Sequence, residues 1–189
     1  MSASKATNPS HAPLSRNGRG LVMINTGNGK GKTTAAIGQA VRAAGHGFRV
    51  CIIQFIKGQA RTGEAMALAS AFPDLIEFHV TGTGFSWQRE REEVAGAALA
   101  GWQLAREKIL SDAYDMVILE EFTYLLAFGL VSENEVLALL AERPGRLHVL
   151  ITGRNASQGL EEYADLVTEM REVKHPYRQG IQGRKGIEY

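Results

Sequence analysis

Short, uninterrupted apolar runs alternate along this chain with stretches whose apolar residues recur every three or four positions. Leu21-Val22-Met23-Ile24, Val50-Cys51-Ile52-Ile53 and Met116-Val117-Ile118-Leu119 contain no polar position that could face water. Such runs predict strands covered on both faces. Leu75 to Val80, Leu147 to Ile151 and Leu166 to Val173 add three further predicted strands. Between them, Thr33 to Ala44 predicts a helix that ends at Gly45-His46-Gly47, and Glu64 to Ala71 a shorter one stopped by Pro73. Arg89 to Leu110 predicts the longest helix, with an inward stripe of Val94, Ala98, Gly101 or Trp102, Ala105 and Ile109. Ser132 with Glu135 three residues on is a capping box for one more helix, closed at Pro144-Gly145.

Strands alternating with helices imply an α/β fold: a mostly parallel sheet with helices on both faces. Ligands of such sheets bind beyond the carboxyl ends of the strands, so the informative residues should follow the apolar runs. No internal repeat or low-complexity block interrupts the pattern.

Thr26-Gly27-Asn28-Gly29-Lys30-Gly31-Lys32-Thr33-Thr34 lies between the first predicted strand and the first helix, where a phosphate-binding loop belongs. Its glycines leave backbone amides free to converge on an anion, and the helix N-terminus points the same way. Lys32 adds a full positive charge, and the Thr33 hydroxyl suits Mg²⁺. The standard loop has glycine where this chain has Thr26, so the loop is one residue short. The plainer alternative, a glycine-rich turn without a ligand, does not explain two lysines and a threonine pair in this position. Together these features predict binding of the triphosphate of ATP with Mg²⁺; Mn²⁺ also accepts oxygen ligands.

Glu120-Glu121 closes the fourth apolar run at the same edge, where a carboxylate can hold Mg²⁺ facing Thr33. Two solvated acids are the alternative, and both cannot be buried and charged without compensation. Phe85 and Trp87 follow the third strand in a glycine-flanked loop. They suit stacking on a flat ligand or pinning of the loop to the core equally well. Arg154, after the fifth strand, could fork onto phosphate or be a surface cation. Gln54 and Lys57 have similar standing, and the segment from Arg171 to Tyr189 carries a basic excess. His46, His79, His148 and His175 show no metal-ligand spacing.

Composition narrows the partners. The 189 residues suit one compact domain. Twenty-one basic residues against twenty acidic ones give a net charge of +1 and no global attraction to nucleic acid or an anionic membrane. Cys51, the sole cysteine, excludes an internal disulfide and a cysteine-only zinc cluster, which fits a reducing, cytoplasmic setting. No apolar run is long enough to span a bilayer. Residues 1–19 carry three cations, no acid and no apolar core, and predict a flexible tail ahead of a domain over 20–189.

Gly27-Asn28-Gly29-Lys30-Gly31-Lys32-Thr33-Thr34 resembles the short phosphate loop of the P-loop ATP:corrinoid adenosyltransferases. Gly45-His46-Gly47, Gln54-Phe55-Ile56-Lys57-Gly58, Thr83-Gly84-Phe85-Ser86-Trp87 and Glu121-Phe122-Thr123-Tyr124 are similar to that family too. So are Arg143-Pro144-Gly145, Ile151-Thr152-Gly153-Arg154, Val173-Lys174-His175 and Gly186-Ile187-Glu188-Tyr189, in order, from about Gly20 to the end.

The resemblance implies a RecA-like P-loop architecture. It implies transfer of the 5′-deoxyadenosyl group of ATP to cobalt(I) of a reduced corrinoid, cob(I)alamin or cob(I)yrinic acid a,c-diamide, with release of triphosphate. Gly27 to Thr33 would hold the triphosphate, with the nucleotide reversed relative to ordinary P-loop hydrolases. Lys32 would face the leaving group, and Thr33 with Glu121 would serve Mg²⁺. Phe85 and Trp87 would press on the corrinoid and help remove its lower axial ligand, and residues 1–19 would close over it. A flavoprotein reductase and a homodimer are further expectations. The family has Asp-Glu where this chain has Glu120-Glu121, so Glu120 bears the departure. Cobalt(I) is itself a nucleophile, which fits the lack of a Ser–His–Asp or Cys–His arrangement. A nucleotide or metabolite kinase and an ATP-dependent switch or motor subunit are the rival readings of the same loop.

Overall fold

The computed structural model describes residues 18–56, 58, 62–82 and 91–188. Six strands form one sheet: β1 (Val22–Thr26), β2 (Val50–Gln54), β3 (Ile76–Val80), β4 (Met116–Glu120), β5 (His148–Thr152) and β6 (Leu166–Glu169). Their spatial order is β3-β2-β4-β5-β1-β6. Every pairing is parallel, so the sheet is more uniform than the sequence required. The register sets Ile24 opposite Ile151, Val117 opposite Val149, and Gln54 opposite Glu120.

Side chains of successive strand residues point to opposite faces, and in β1, β2, β4 and β5 both faces are largely buried, whereas the edge strand β6 is exposed. Val22, Ile24, Cys51, Ile53, Val117, Leu119, Val149 and Ile151 share one face. Over it pack α3 (Arg91–Leu110), α4 (Thr123–Ala127), α5 (Glu133–Glu142) and α6 (Gln158–Tyr163). Met23, Val50, Ile52, Met116, Ile118 and Leu150 line the other face, under α1 (Lys32–Gly45) and α2 (Gly63–Ala71). Each fully buried Ile, Leu or Val contributes roughly 1.5–3 kcal/mol of transfer free energy. The buried residues of α1 are all alanine, at 36, 40, 43 and 44. Small side chains let this helix lie close to the sheet, which draws the phosphate loop down onto the strand ends.

The predicted stripe on α3 is buried from Ala98 to Ile109, with Gly101 and Trp102 both buried, while Val94 is half-buried. A Cβ at Gly101 would meet Thr81 Oγ1 at 2.5 Å, so glycine permits the close approach of α3 to the end of β3. The Ser132–Glu135 capping box is intact. Trp102 packs on Phe122 with ring centroids 5.2 Å apart, and Phe122 meets Phe55 edge-on at 5.3 Å. Contacts of this kind add about 0.5–1.5 kcal/mol beyond burial. They anchor the residues that follow Glu121 and Gln54.

Three short pieces depart from the expectation. α4, α6 and a 3₁₀ turn over Pro176–Gln179 were not predicted, because elements of four to six residues are too short to display a period. β6 ends at Glu169 instead of Val173, and the chain then runs beside the phosphate loop. Among the described residues, no helix is long and apolar enough to cross a membrane.

Candidate functional site

The loop from Gly27 to Gly31 joins β1 to α1. Gly31 has φ +116° and stands at the N-cap, where no side chain caps the helix. Nor does an acid occupy the first turn of α1. The orphan amides and positive end of α1 are therefore left for an anion. Gly29 donates its N–H to the Met170 carbonyl at 2.6 Å. A Cβ there would lie 2.6 Å from the same oxygen, so the chain after β6 forms a wall that only glycine can sit against.

Lys32 folds back into this loop. Its Nζ donates to the Gly27 and Gly29 carbonyls at 2.7 and 2.8 Å. Burial lowers the ammonium pKa, as does the neighbouring Arg154, while Glu121 and Glu120 pull it the other way. Arg154 is exposed, yet it lines the same cavity and stands close enough to Lys32 to act on its charge. Its segment is held by Thr123 Oγ1, which donates to the Arg154 carbonyl at 2.7 Å. Gly153 beside it has φ +146°.

Thr33 Oγ1 donates to Glu120 Oε1 at 2.5 Å. The other oxygen, Glu120 Oε2, accepts from Gln54 Nε2 at 3.0 Å. Glu120 is 1% exposed and Gln54 2%. Glu121 is half-buried, holds a left-handed backbone with φ +60°, and donates its N–H to Thr152 Oγ1 at 2.9 Å. The residues alone left Glu120 and Glu121 open, and the family resemblance implied Glu121 for the metal; in the structure Glu120 is the one that contacts Thr33, and Glu121 lines the same cavity.

A cavity of about 250 Å³ opens over these groups. Asn28, Lys30, Lys32, Thr33 and Thr34 line it with both glutamates, Arg154 and Tyr124. Sequence reasoning missed Glu64, Tyr124 and His175 as wall residues. Tyr124 and His175 carried a signal only as members of family-like segments, and Glu64, in the first turn of α2, carried none. Lys30 Nζ pairs with Glu188 Oε2 at 2.8 Å across the mouth, and this hydrogen bond holds the Glu188 pKa down. Gln54, expected as a possible phosphate contact, is given over to Glu120. Thr26, which replaces the usual glycine, accepts the Ala156 N–H on its hydroxyl at 3.2 Å and so ties β1 to the segment before α6. Phe85, Trp87 and Lys57 lie outside the described residues, as do 1–17 of the tail.

The arrangement suits a polyphosphate: converging amides, three cations, and a hydroxyl paired with a carboxylate. Residues 18–189 match the family described as ATP:corrinoid adenosyltransferase BtuR/CobO/CobP. A corrinoid adenosyltransferase of Pseudomonas aeruginosa is 40% identical over 190 residues, covering 100% of this chain and 93% of that protein. The corrinoid adenosyltransferase CobA of Salmonella typhimurium is 43% identical over 172 residues, covering 90% and 86%. Among solved structures, the flagellar accessory protein FlaH of Methanocaldococcus jannaschii superposes with a TM-score of 0.54 at 10% identity, over 80% of this chain and 71% of that one. That likeness concerns the fold alone.

Proposed function

We propose a division of labour within this site, starting from the fact that the chain belongs to the ATP:corrinoid adenosyltransferase family. The chain is a transferase that moves the 5′-deoxyadenosyl group of ATP to cobalt(I) of a reduced corrinoid and releases triphosphate. In that reaction the cobalt electron pair forms a bond to C5′. The C5′–oxygen bond breaks, and triphosphate departs with the bonding electrons. The family membership does not support the kinase reading.

No proton has to be removed from cobalt(I), so the protein must chiefly orient the substrates and stabilise the departing anion. In our reading the Gly27–Thr33 amides, with Asn28 and Thr34 on the wall, cradle the triphosphate. Lys32 and Arg154 balance its charge as it leaves, with Lys30 at the mouth. The observation that carries this is the uncapped α1 N-terminus with the Lys32 ammonium folded into the loop beside it.

The donor set at Thr33 and Glu120 fits a hard divalent cation, because both supply oxygen. We assign Mg²⁺, or Mn²⁺ in its place, to these two residues, with Glu121 at the rim. Such an ion, when bound, neutralises charge on the leaving triphosphate. Phe85 and Trp87 are assigned to the corrinoid face, and the tail of residues 1–19 to its cover. A flavoprotein reductase is the proposed electron source and the cytoplasm the proposed setting, in keeping with a single, buried cysteine. A homodimer is supported by the edge strand β6, which exposes Leu166 and Val167.

Anaerobic incubation with MgATP and chemically reduced corrinoid tests the reading. The expected products are a cobalt–carbon bond and intact inorganic triphosphate. ADP with phosphate, and no alkylated cobalt, overturns it.

A further inference from the structure

Gln54 carries an unexplained polar atom. Its side chain is buried at the end of β2, directly opposite Glu120 in the sheet register. Nε2 donates to Glu120 Oε2 at 3.0 Å, but among the described residues the buried Oε1 has no hydrogen-bond partner. Buried carbonyl oxygens are nearly always satisfied, so an exception asks for a cause.

Looseness is not the cause. The main-chain carbonyl of Gln54 accepts the Thr81 N–H at 2.9 Å, the Gly82 N–H at 3.4 Å and the Thr81 hydroxyl at 3.2 Å. The next residue, Phe55, is locked against Phe122. Turning the amide over would set its oxygen against the Glu120 carboxylate, exchanging an attraction for a repulsion. A methionine would fill the same space and remove the orphan oxygen, but it would also take the Nε2 donor from Glu120.

We infer that Gln54 is a positioning residue for the cation corner. Its N–H holds the Glu120 carboxylate toward Thr33, and its carbonyl oxygen accepts a hydrogen bond from hydration water that arrives with the divalent ion. The inference rests on the reading that Thr33 and Glu120 hold that ion. Magnesium-like ions keep several waters when bound, and those waters need acceptors. Partners behind the ligating residues typically change metal affinity 10–100-fold when removed.

The test uses Gln54→Met in the full chain, with Mn²⁺ as the probe and inorganic triphosphate present, following free Mn²⁺ by electron paramagnetic resonance. We expect Mn²⁺ affinity to fall about 10–100-fold, while the ligand-free unfolding midpoint falls only modestly, because Glu120 loses one donor and the orphan oxygen is removed with it. Unchanged affinity, whatever the midpoint, overturns the inference. A second measurement needs no variant: the Gln54 side-chain amide resonances of the wild type should shift when Mg²⁺ and triphosphate are added together. Absence of that shift also overturns it. The two readings fail separately. Weakened Mn²⁺ binding in the variant, with a wild type that forms no cobalt–carbon bond, sinks the adenosyltransfer reading and keeps this one. An adenosylating wild type with a variant of normal Mn²⁺ affinity does the reverse.

Discussion

Two polar clusters in this molecule look alike on paper and differ in completeness. One is the corner of Thr33, Glu120 and Gln54 at the carboxyl end of the sheet. The other sits beneath α3, where Cys51, Glu77 and His79 bring possible ligand atoms within 4.8 Å of one another. In the second cluster Glu77 accepts from Lys108 at 2.8 Å, from His79 at 2.6 Å, and from the Tyr114 hydroxyl. Burial alone would raise the Glu77 carboxyl, but these donors outweigh it and hold the pKa at about 2. Burial, with Glu77 nearby, pushes the Cys51 thiol up to about 12. An ammonium already occupies the oxygen that a metal would need. The corner, by contrast, keeps an orphan acceptor in Gln54, an uncapped helix end and a left-handed Glu121. Shifted pKa values mark both structural networks and sites. Unfinished hydrogen bonding and strained backbone are the better discriminators here.

Lys32→Ala gives the comparison its hardest test. The substitution removes the positive charge that we propose faces the leaving group, and losses of a single stabilising donor cost about 10²–10³-fold in kcat. The unfolding midpoint should barely move, because the ammonium binds carbonyls of a half-exposed loop. Steady-state adenosylation beside a thermal melt checks both halves. An active but unstable variant would reverse the assignment of site and scaffold.

The reach of the sequence follows the same division. Strand cores such as Val50–Gln54 and Met116–Glu120 were legible because both faces are buried and no polar residue blurs the run. The phosphate loop was legible because glycine and lysine spacing is local. The choice between Glu120 and Glu121 was not, since strand alternation aims adjacent side chains oppositely and only the register shows which one meets Thr33. Cys51 met Glu77 and His79 through the pairing of β2 with β3, which no spacing along the chain displays. The 3₁₀ turn that carries Tyr177 is too short to announce itself.

Glu77→Gln sharpens the comparison from the other side. It leaves the shape but removes the charge that three donors serve. Glu77 is 40% exposed, so solvent screening trims the loss to about 1 kcal/mol. Adenosylation should stay within about twofold of wild type, as expected for a substitution outside the site. The pH dependence has a definite sign. A carboxyl whose folded pKa lies below its unfolded value of 4.5 stabilises above 4.5. That advantage disappears as pH falls toward about 2. Melts of wild type and variant should therefore differ at pH 7 and converge through that window. Equal melts at pH 7 would mean that the network is not structural, and the contrast with the corner would dissolve.

Glu188→Gln probes the seam between a site and its surface. The Lys30–Glu188 pair lies at the cavity mouth with side chains 42% and 26% exposed. Exposed pairs contribute about 0.2–1 kcal/mol at most, so the melt should hardly change. The effect on substrate has a sign, however. Glu188 places a negative charge where a polyphosphate must enter, and it engages a lysine that the polyphosphate would use. Neutralising it should lower KM for MgATP by about twofold at low ionic strength, a size in keeping with one screened surface charge. The gain should fade as salt rises toward 1 M, where the Debye length shrinks to about 3 Å. A rise in KM instead would show that Glu188 braces the loop in its binding shape, and the mouth would then belong with the corner and not with the surface.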